Sequence, residues 1–272
     1  MKIMLKCIVN LSDKGTIMLT DNISKSGSLV SYRTLRTLLL FLEDDKLTLS
    51  DISSKLGISK TAAYRIVFTL TEMNFLLKDD YKRYMLGPVL LKLSKRVDNN
   101  IRSVALPVMK QLSEETGESV YLSVSYNIWH YFFIEGVESY HPIKWSVSIG
   151  QPETSLGGAA GKVHLAYREI KGLNDKLKAA KFTAYTDNTI TEYKKLSSEL
   201  EKIRKEGVSL SFGERYEDVV GISCPILDYP TDREVAALSI FMPEFRFRPE
   251  QLPDLIAKLK KASREIFLLL EV

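Results

Sequence analysis

Four side chains in the segment GISKTAAYRIVFTLTEMN (57–74) have the types and spacing to meet a polyanion: Lys60, Thr61, Tyr64 and Arg65. The apolar residues Ala63, Ile66, Val67, Leu70 and Met73 repeat at helical spacing and predict a one-sided helix. The four polar residues then share its opposite face, within the first two turns. A lysine near the helix start, flanked by the Ser59 and Thr61 hydroxyls, suits phosphate positioning and base-edge contact. Arg65 could bond a guanine or a phosphate. A merely solvated helix end has the same appearance, so the neighbouring elements must decide. Phe68 also lands near this polar face, and the chemistry gives it no role.

Other groups with the types for chemistry lack the spacing for it. GGAAGKV (157–163) has the Gly-Lys of a phosphate loop, but Leu156 stands where the first glycine is needed and Val163 where the magnesium-binding hydroxyl belongs. Its small residues could instead let the amides of Gly158, Ala159 and Ala160 approach an anion at a helix start, or simply pack closely. His130, His141 and His164 have no metal-site spacing and no accompanying nucleophile or paired carboxylate, so packing or exposure is their expected role. Ser239 lies in an apolar strand without a nucleophile elbow. Trp129 and Trp145 could line a pocket, with core packing the default. Cys7 and Cys224 are isolated, which indicates neither a disulfide framework nor a zinc site. No catalytic residue, metal or cofactor is expected.

The elements that must position these groups follow from the pattern. Residues 1–28 read as a loose polar arm, and no cleavable leader or membrane span is apparent, which points to the cytoplasm. Apolar spacing from Tyr32 through Leu42 predicts a helix. LTLSDISSKLG predicts a second, short helix with Ser50 as N-cap and Gly57 as its stop, and Ser59 caps the third. FLLKDDYKRYMLGP reads as two strands around an Asp-Asp turn, with Lys78, Lys82 and Arg83 as candidate backbone contacts. Helix, short helix, glycine turn, helix and hairpin make a winged helix-turn-helix, whose third helix enters the major groove of double-stranded DNA. Charge agrees: residues 1–97 carry 16 Lys and Arg against 9 Asp and Glu, whereas the remaining 175 carry 22 against 25.

Beyond Pro88 two helical segments follow, the second interrupted by Pro107. Aromatic and β-branched strands then surround a glycine-rich segment: ESVYLSVSY, IWHYFFIEGVES, one around Trp145, and others near 207–212, 219–227 and 234–242. Helices near 155–167 and 191–206 and a last one from about Pro249 complete an α+β domain with a mostly antiparallel sheet. The boundaries read as an N-terminal arm (1–28), a winged helix-turn-helix (29–88), a linker helix (89–100) and a second domain (101–272).

Over about residues 30–270 the sequence resembles the IclR family of transcriptional regulators. The resemblance lies in LTLSDISSKLGISKTAAYRIVFTLTEMNFL with Leu86-Gly87-Pro88 at the wing's end, and in LPVMKQLSEETGESVYLSV, GAAGKVHLAY, SCPILD and REVAALSI. It implies a DNA-binding winged helix-turn-helix and a GAF-like effector-binding domain, assembled as dimers or dimer pairs. By position it places the effector pocket at Gly158, Ala159, Ala160, Ser211, Gly221, Ser239 and Phe241. In members that bind small keto acids an acid stands at Ser211, a cysteine at Gly221 and a second serine at Phe241. These departures open volume at Gly221, add an apolar wall at Phe241 and favour a carboxylate with a sizeable apolar body. The alternative function is a cytoplasmic small-molecule-binding enzyme with a helical docking domain.

Overall fold

A computed structural model of the chain describes residues 10–11, 17–18, 27–97, 101–168, 172–228 and 233–270. The expected arm lies outside them, apart from residues 27–28 and the paired strands β1 (Asn10–Leu11) and β2 (Ile17–Met18). The chain divides into two units, residues 1–97 and 98–272.

In the first unit, the Ser28 hydroxyl caps α1 (Leu29–Leu39), which starts three residues before Tyr32. A 3-10 turn (Leu40–Leu42) and a two-residue strand β3 (Leu47–Thr48) follow. Helix α2 (Leu49–Leu56) is capped by Thr48, not Ser50. The Thr48 hydroxyl accepts from the Asp51 N–H (3.2 Å), and the Asp51 carboxylate accepts from the Thr48 N–H (2.8 Å). This reciprocal pair satisfies two otherwise unpaired donors, which a cap at Ser50 would leave open. Gly57 ends α2 at φ +63°, a left-handed position that glycine adopts without strain. Ser59 caps α3 (Lys60–Glu72). Strands β4 (Leu76–Lys78) and β5 (Arg83–Leu86) form the hairpin, and β3 adds to β5 to make three strands. Ile52, Ala63, Val67 and Leu76 are fully buried at the centre of this unit, while Met73 caps the end of α3 and stays exposed. Helix α4 (Val89–Val97) occupies most of the expected linker; residues 98–100 lie outside the described set.

The second unit begins with α5 (Ile101–Thr116), which continues through Pro107. Strands β6 (Ser119–Ser125), β7 (His130–Val137), β8 (Pro152–Thr154), β9 (Ser209–Phe212), β10 (Val219–Asp228) and β11 (Arg233–Pro243) form an antiparallel sheet ordered β8-β7-β6-β11-β10-β9. No strand forms around Trp145; the third strand of this region is β8, a three-residue edge strand opening on Pro152, where the missing N–H costs no ladder bond. Alternation along the central strands sends Ala236, Leu238, Ile240 and Met242 of β11 and Val220, Ile222 and Cys224 of β10 toward α5 and α9 (Leu252–Leu270). The opposite face carries α6 (Gly158–Ala166), α7 (Leu173–Lys178) and α8 (Tyr193–Glu206). Every residue of α6 is buried. Among the described residues no helix is long and apolar enough to cross a membrane.

Candidate functional sites

On α3 the buried stripe Ala63, Ile66, Val67 and Leu70 lies opposite Thr61, Tyr64, Arg65 and Phe68, which are all exposed. Lys60 is exposed in the first turn. Ser59 is committed to the cap: its hydroxyl accepts from the Ala62 N–H at 3.2 Å. The structure therefore gathers Ser59, Lys60, Thr61, Tyr64 and Arg65 at one end and face of α3.

The β4–β5 turn is organised by Asp79. Its Oδ1 accepts from the Tyr81 and Arg83 N–H groups (3.0 and 2.9 Å), and its Oδ2 accepts from Arg83 Nε (3.0 Å). The backbone N–H of Arg83, followed by that residue's guanidinium, brings the Asp79 pKa down to about 2. Arg83 is thus held within the hairpin, with Tyr81 5.2 Å from its guanidinium, and is less free for a phosphate than its spacing suggests. Lys82 is exposed at φ +64°, and Lys78 lies 5.5 Å from the Tyr84 ring while remaining exposed.

In the second unit a cavity of about 30 Å³ lies between the sheet and the start of α6. Tyr131, Phe133, Trp145, Val147, Tyr216 and Phe241 give it an aromatic and apolar wall. Gly158, Ala159, Ala160, Ser211, Gly221 and Phe241, all expected from the sequence, line it. Ser239 does not. It sits one alternation step deeper on β11, fully buried, with its hydroxyl 2.7 Å from that of Ser223 on β10. The volume expected at Gly221 is also absent, because that position faces Phe241 across the ladder. A side chain there would begin 2.9 Å from the Phe241 ring and 3.3 Å from the Ala159 Cβ. Phe241 fills the space that glycine leaves.

Sequence reasoning missed the cavity's two charged groups, Glu153 and Arg215. Arg215 lines it, donating through Nε and Nη2 to Glu153 Oε2 (3.2 and 3.0 Å) and stacking 3.9 Å from the Tyr185 ring. The Tyr216 hydroxyl donates to Glu153 Oε1 at 2.9 Å. Burial, then the adjacent carboxylate, pushes the Tyr216 phenol up to about 12, so it stays a donor. Glu153 and Arg215 are 62 residues apart; the only local sign was a charged turn, GERY (213–216), between two strands.

The α6 start, which the sequence offered as either an anion site or a close-packing segment, already has an internal carboxylate. Glu214 lies against the Gly158 N–H and 2.5 Å from Lys162 Nζ. Lys162 is buried and also donates to the Leu210 carbonyl (2.7 Å), which makes the lysine of GGAAGKV a structural tie. Burial raises the Glu214 pKa, and Lys162 opposes that shift.

Two family models account for most of the chain: the IclR helix-turn-helix domain over residues 32–80, and the C-terminal domain of the bacterial transcriptional regulator IclR over residues 95–268. The chain belongs to the IclR family. It is a DNA-binding transcriptional regulator. It is 31% identical to the HTH-type transcriptional regulator KipR of Bacillus subtilis, over 86% of this chain and 94% of that protein. The crystal structure of Thermotoga maritima IclR superposes with a TM-score of 0.75 at 28% identity, covering 89% of this chain and 98% of that one. An IclR homologue from Microbacterium hydrocarbonoxydans, solved in complex with 4-hydroxybenzoate, shares the fold with a TM-score of 0.71 at 21% identity, over 89% of this chain and 99% of the other.

One further constellation in this IclR-family chain has the order of a hydrolytic triad. The Ser123 hydroxyl is 2.9 Å from His164 Nε2, and His164 Nδ1 is hydrogen-bonded to Glu234 Oε1. Ser123 on β6 and His164 within α6 are both buried, which leaves the hydroxyl without solvent exposure. The line ties α6 to β6 and β11. Among the described residues no cluster of three or more His, Cys, Asp or Glu could hold a metal. Cys224 is buried, which pushes its thiol up to about 12.

Proposed function

We propose that the regulator docks α3 in the major groove of its operator, with Lys60, Thr61, Tyr64 and Arg65 at base edges and phosphates and with Lys78 and Lys82 on the flanking backbone. The observation that carries this reading is the exposed stripe of α3, set opposite the core in the unit that holds the chain's excess of positive charge. One winged helix reads only a few base pairs, so useful affinity calls for two half-sites and a dimer or dimer pair, acting in the cytoplasm. A gel shift against the chain's own upstream region tests the reading. Replacing Lys60, Tyr64 and Arg65 together with alanine should abolish the specific shift; unchanged operator affinity refutes it. A monomer by light scattering with undiminished specific binding refutes the assembly.

The second unit, on this reading, senses a small organic acid that alters operator affinity. Glu153 occupies the Nε–Nη2 edge of Arg215, and the Nη1 edge can take a carboxylate in an aromatic-walled cavity. The space of about 30 Å³ holds a water or two, so admission of an aromatic or medium-chain body requires the Trp145–Tyr216 wall (centroids 4.7 Å apart) to swing outward. The 4-hydroxybenzoate complex of the Microbacterium homologue accords with such a ligand. A thermal-shift panel of aromatic and medium-chain carboxylates, pyruvate and glyoxylate, repeated on Arg215→Met, tests it. Stabilisation by the larger acids, lost in the variant, is expected; a response to pyruvate and glyoxylate alone overturns it.

A further inference from the structure

The outward stripe of α3 contains one residue that neither phosphate nor hydrogen-bond chemistry explains. Phe68 is 52% exposed and Tyr64, one turn earlier, is 50% exposed. Their ring centroids lie 6.0 Å apart at 34°, so the two form one continuous apolar surface. Neither ring belongs to the buried cluster of its unit. The surface is flanked by charge: Lys60 precedes it by one turn, and Arg65, the residue after Tyr64, is exposed beside it. A like-charged second copy of this face is a poor partner for it, whereas a polyanion with apolar groups is a good one. DNA provides such groups in the major groove at a single base, because only thymine presents a methyl there. Phe68 has no donor or acceptor, and base-edge hydrogen bonding is closed to it.

We infer that Tyr64 and Phe68 read thymine methyl groups, so that each operator half-site sets one or more thymines beside the base or phosphate taken by Arg65. The inference rests on the proposed docking of α3 and adds to it the base class that the aromatic pair selects. Burying one methyl against a ring is worth about a fourfold change in affinity. Two contacted methyls per half-site therefore give a discrimination comparable with one hydrogen-bonded base.

The test uses the full chain. Its operator is selected from random-sequence duplexes, then resynthesised with deoxyuridine in place of each thymidine in turn, which deletes one methyl and leaves every hydrogen-bonding group. At least one position per half-site should lose about fourfold in affinity. Phe68→Ala should weaken binding to the thymine operator by a similar factor and remove the thymidine–deoxyuridine difference at one of those positions. Tyr64→Ala should do the same at its neighbour. Equal affinity for thymidine and deoxyuridine at every position overturns the inference even with the wild-type chain alone. So does a difference that persists unchanged in both variants. The underlying docking fails separately, if no sequence is enriched or if the Lys60, Tyr64 and Arg65 triple alanine variant binds the selected operator with full affinity. Loss of binding in that triple variant together with neutral deoxyuridine substitution keeps the docking and rejects methyl reading.

Discussion

Replacing Gly221 with alanine should destabilise the second unit although it adds only one methyl group. The added Cβ would begin 2.9 and 3.1 Å from two ring carbons of Phe241 and 3.3 Å from the Ala159 Cβ. Carbon atoms pack best at about 3.5–4.0 Å, so neighbours must yield by roughly 0.5–1 Å. The ring has little room to do so: Tyr121 and Phe133 hold it at centroid distances of 5.9 and 5.8 Å. The strand cannot retreat either, since β10 is paired on both sides, with β9 and with β11. Overpacking of this kind costs about 1–3 kcal/mol. Combined with Phe241→Ser, the clash disappears, and the double variant should lie above the sum of the singles by at least 1 kcal/mol in a double-mutant cycle. Urea unfolding of the four proteins, followed by the fluorescence of Trp129 and Trp145, measures it. A Gly221→Ala variant within 0.3 kcal/mol of the wild type, or an additive cycle, would refute the exchange of volume between the two positions.

Lys162→Met should cost about 3–5 kcal/mol, because it leaves the largely buried Glu214 carboxylate without its cation. The folded-state pKa of Glu214 is already raised by burial and would rise further, so the variant's stability should recover as pH falls through the carboxylate range; denaturation at several pH values checks the sign. Asp79 has a folded pKa of about 2, below its ordinary 3.8; its support for the β4–β5 turn is complete above that ordinary value and is lost as pH falls through about 2. The amide resonances of Tyr81 and Arg83 should titrate there, and should not in Asp79→Asn. Arg65→Ala should weaken operator binding by about 1–3 kcal/mol, whereas Lys82→Ala should flatten the salt dependence by about one unit; gel shifts over a salt series separate the two.

What could be read in the sequence was the local part of the fold. Ser59 and Gly57 bound α3 and α2 through contacts a few residues long, and both stand where the spacing put them. Thr48 was as readable as Ser50, since its partner Asp51 is three residues on, but the decisive feature is reciprocity between two side chains, not the type of one. The cavity required strand register. Gly221 and Phe241 are twenty residues apart and meet only because β10 and β11 pair in one alignment. Arg215 was hidden for the same reason, since its partner Glu153 lies on an edge strand of three residues. Ser239 lies in the expected strand and on the same face as Phe241, yet one alternation step from the cavity, where Ser223 takes its hydroxyl.

Helix α6 has no side turned to solvent over its nine residues, and its polar side chains are all committed: Lys162 to Glu214, and His164 to Ser123 and Glu234. Such a segment has no soft direction in which to bend, so it responds as a stiff rod. Ala160 touches the cavity, and His164 follows one turn later, about 6 Å along the axis. A molecule that enters the cavity and presses on Ala160 therefore cannot displace it alone. Where the Trp145–Tyr216 wall does not yield first, it carries the His164–Glu234 contact with it and loads the first residues of β11.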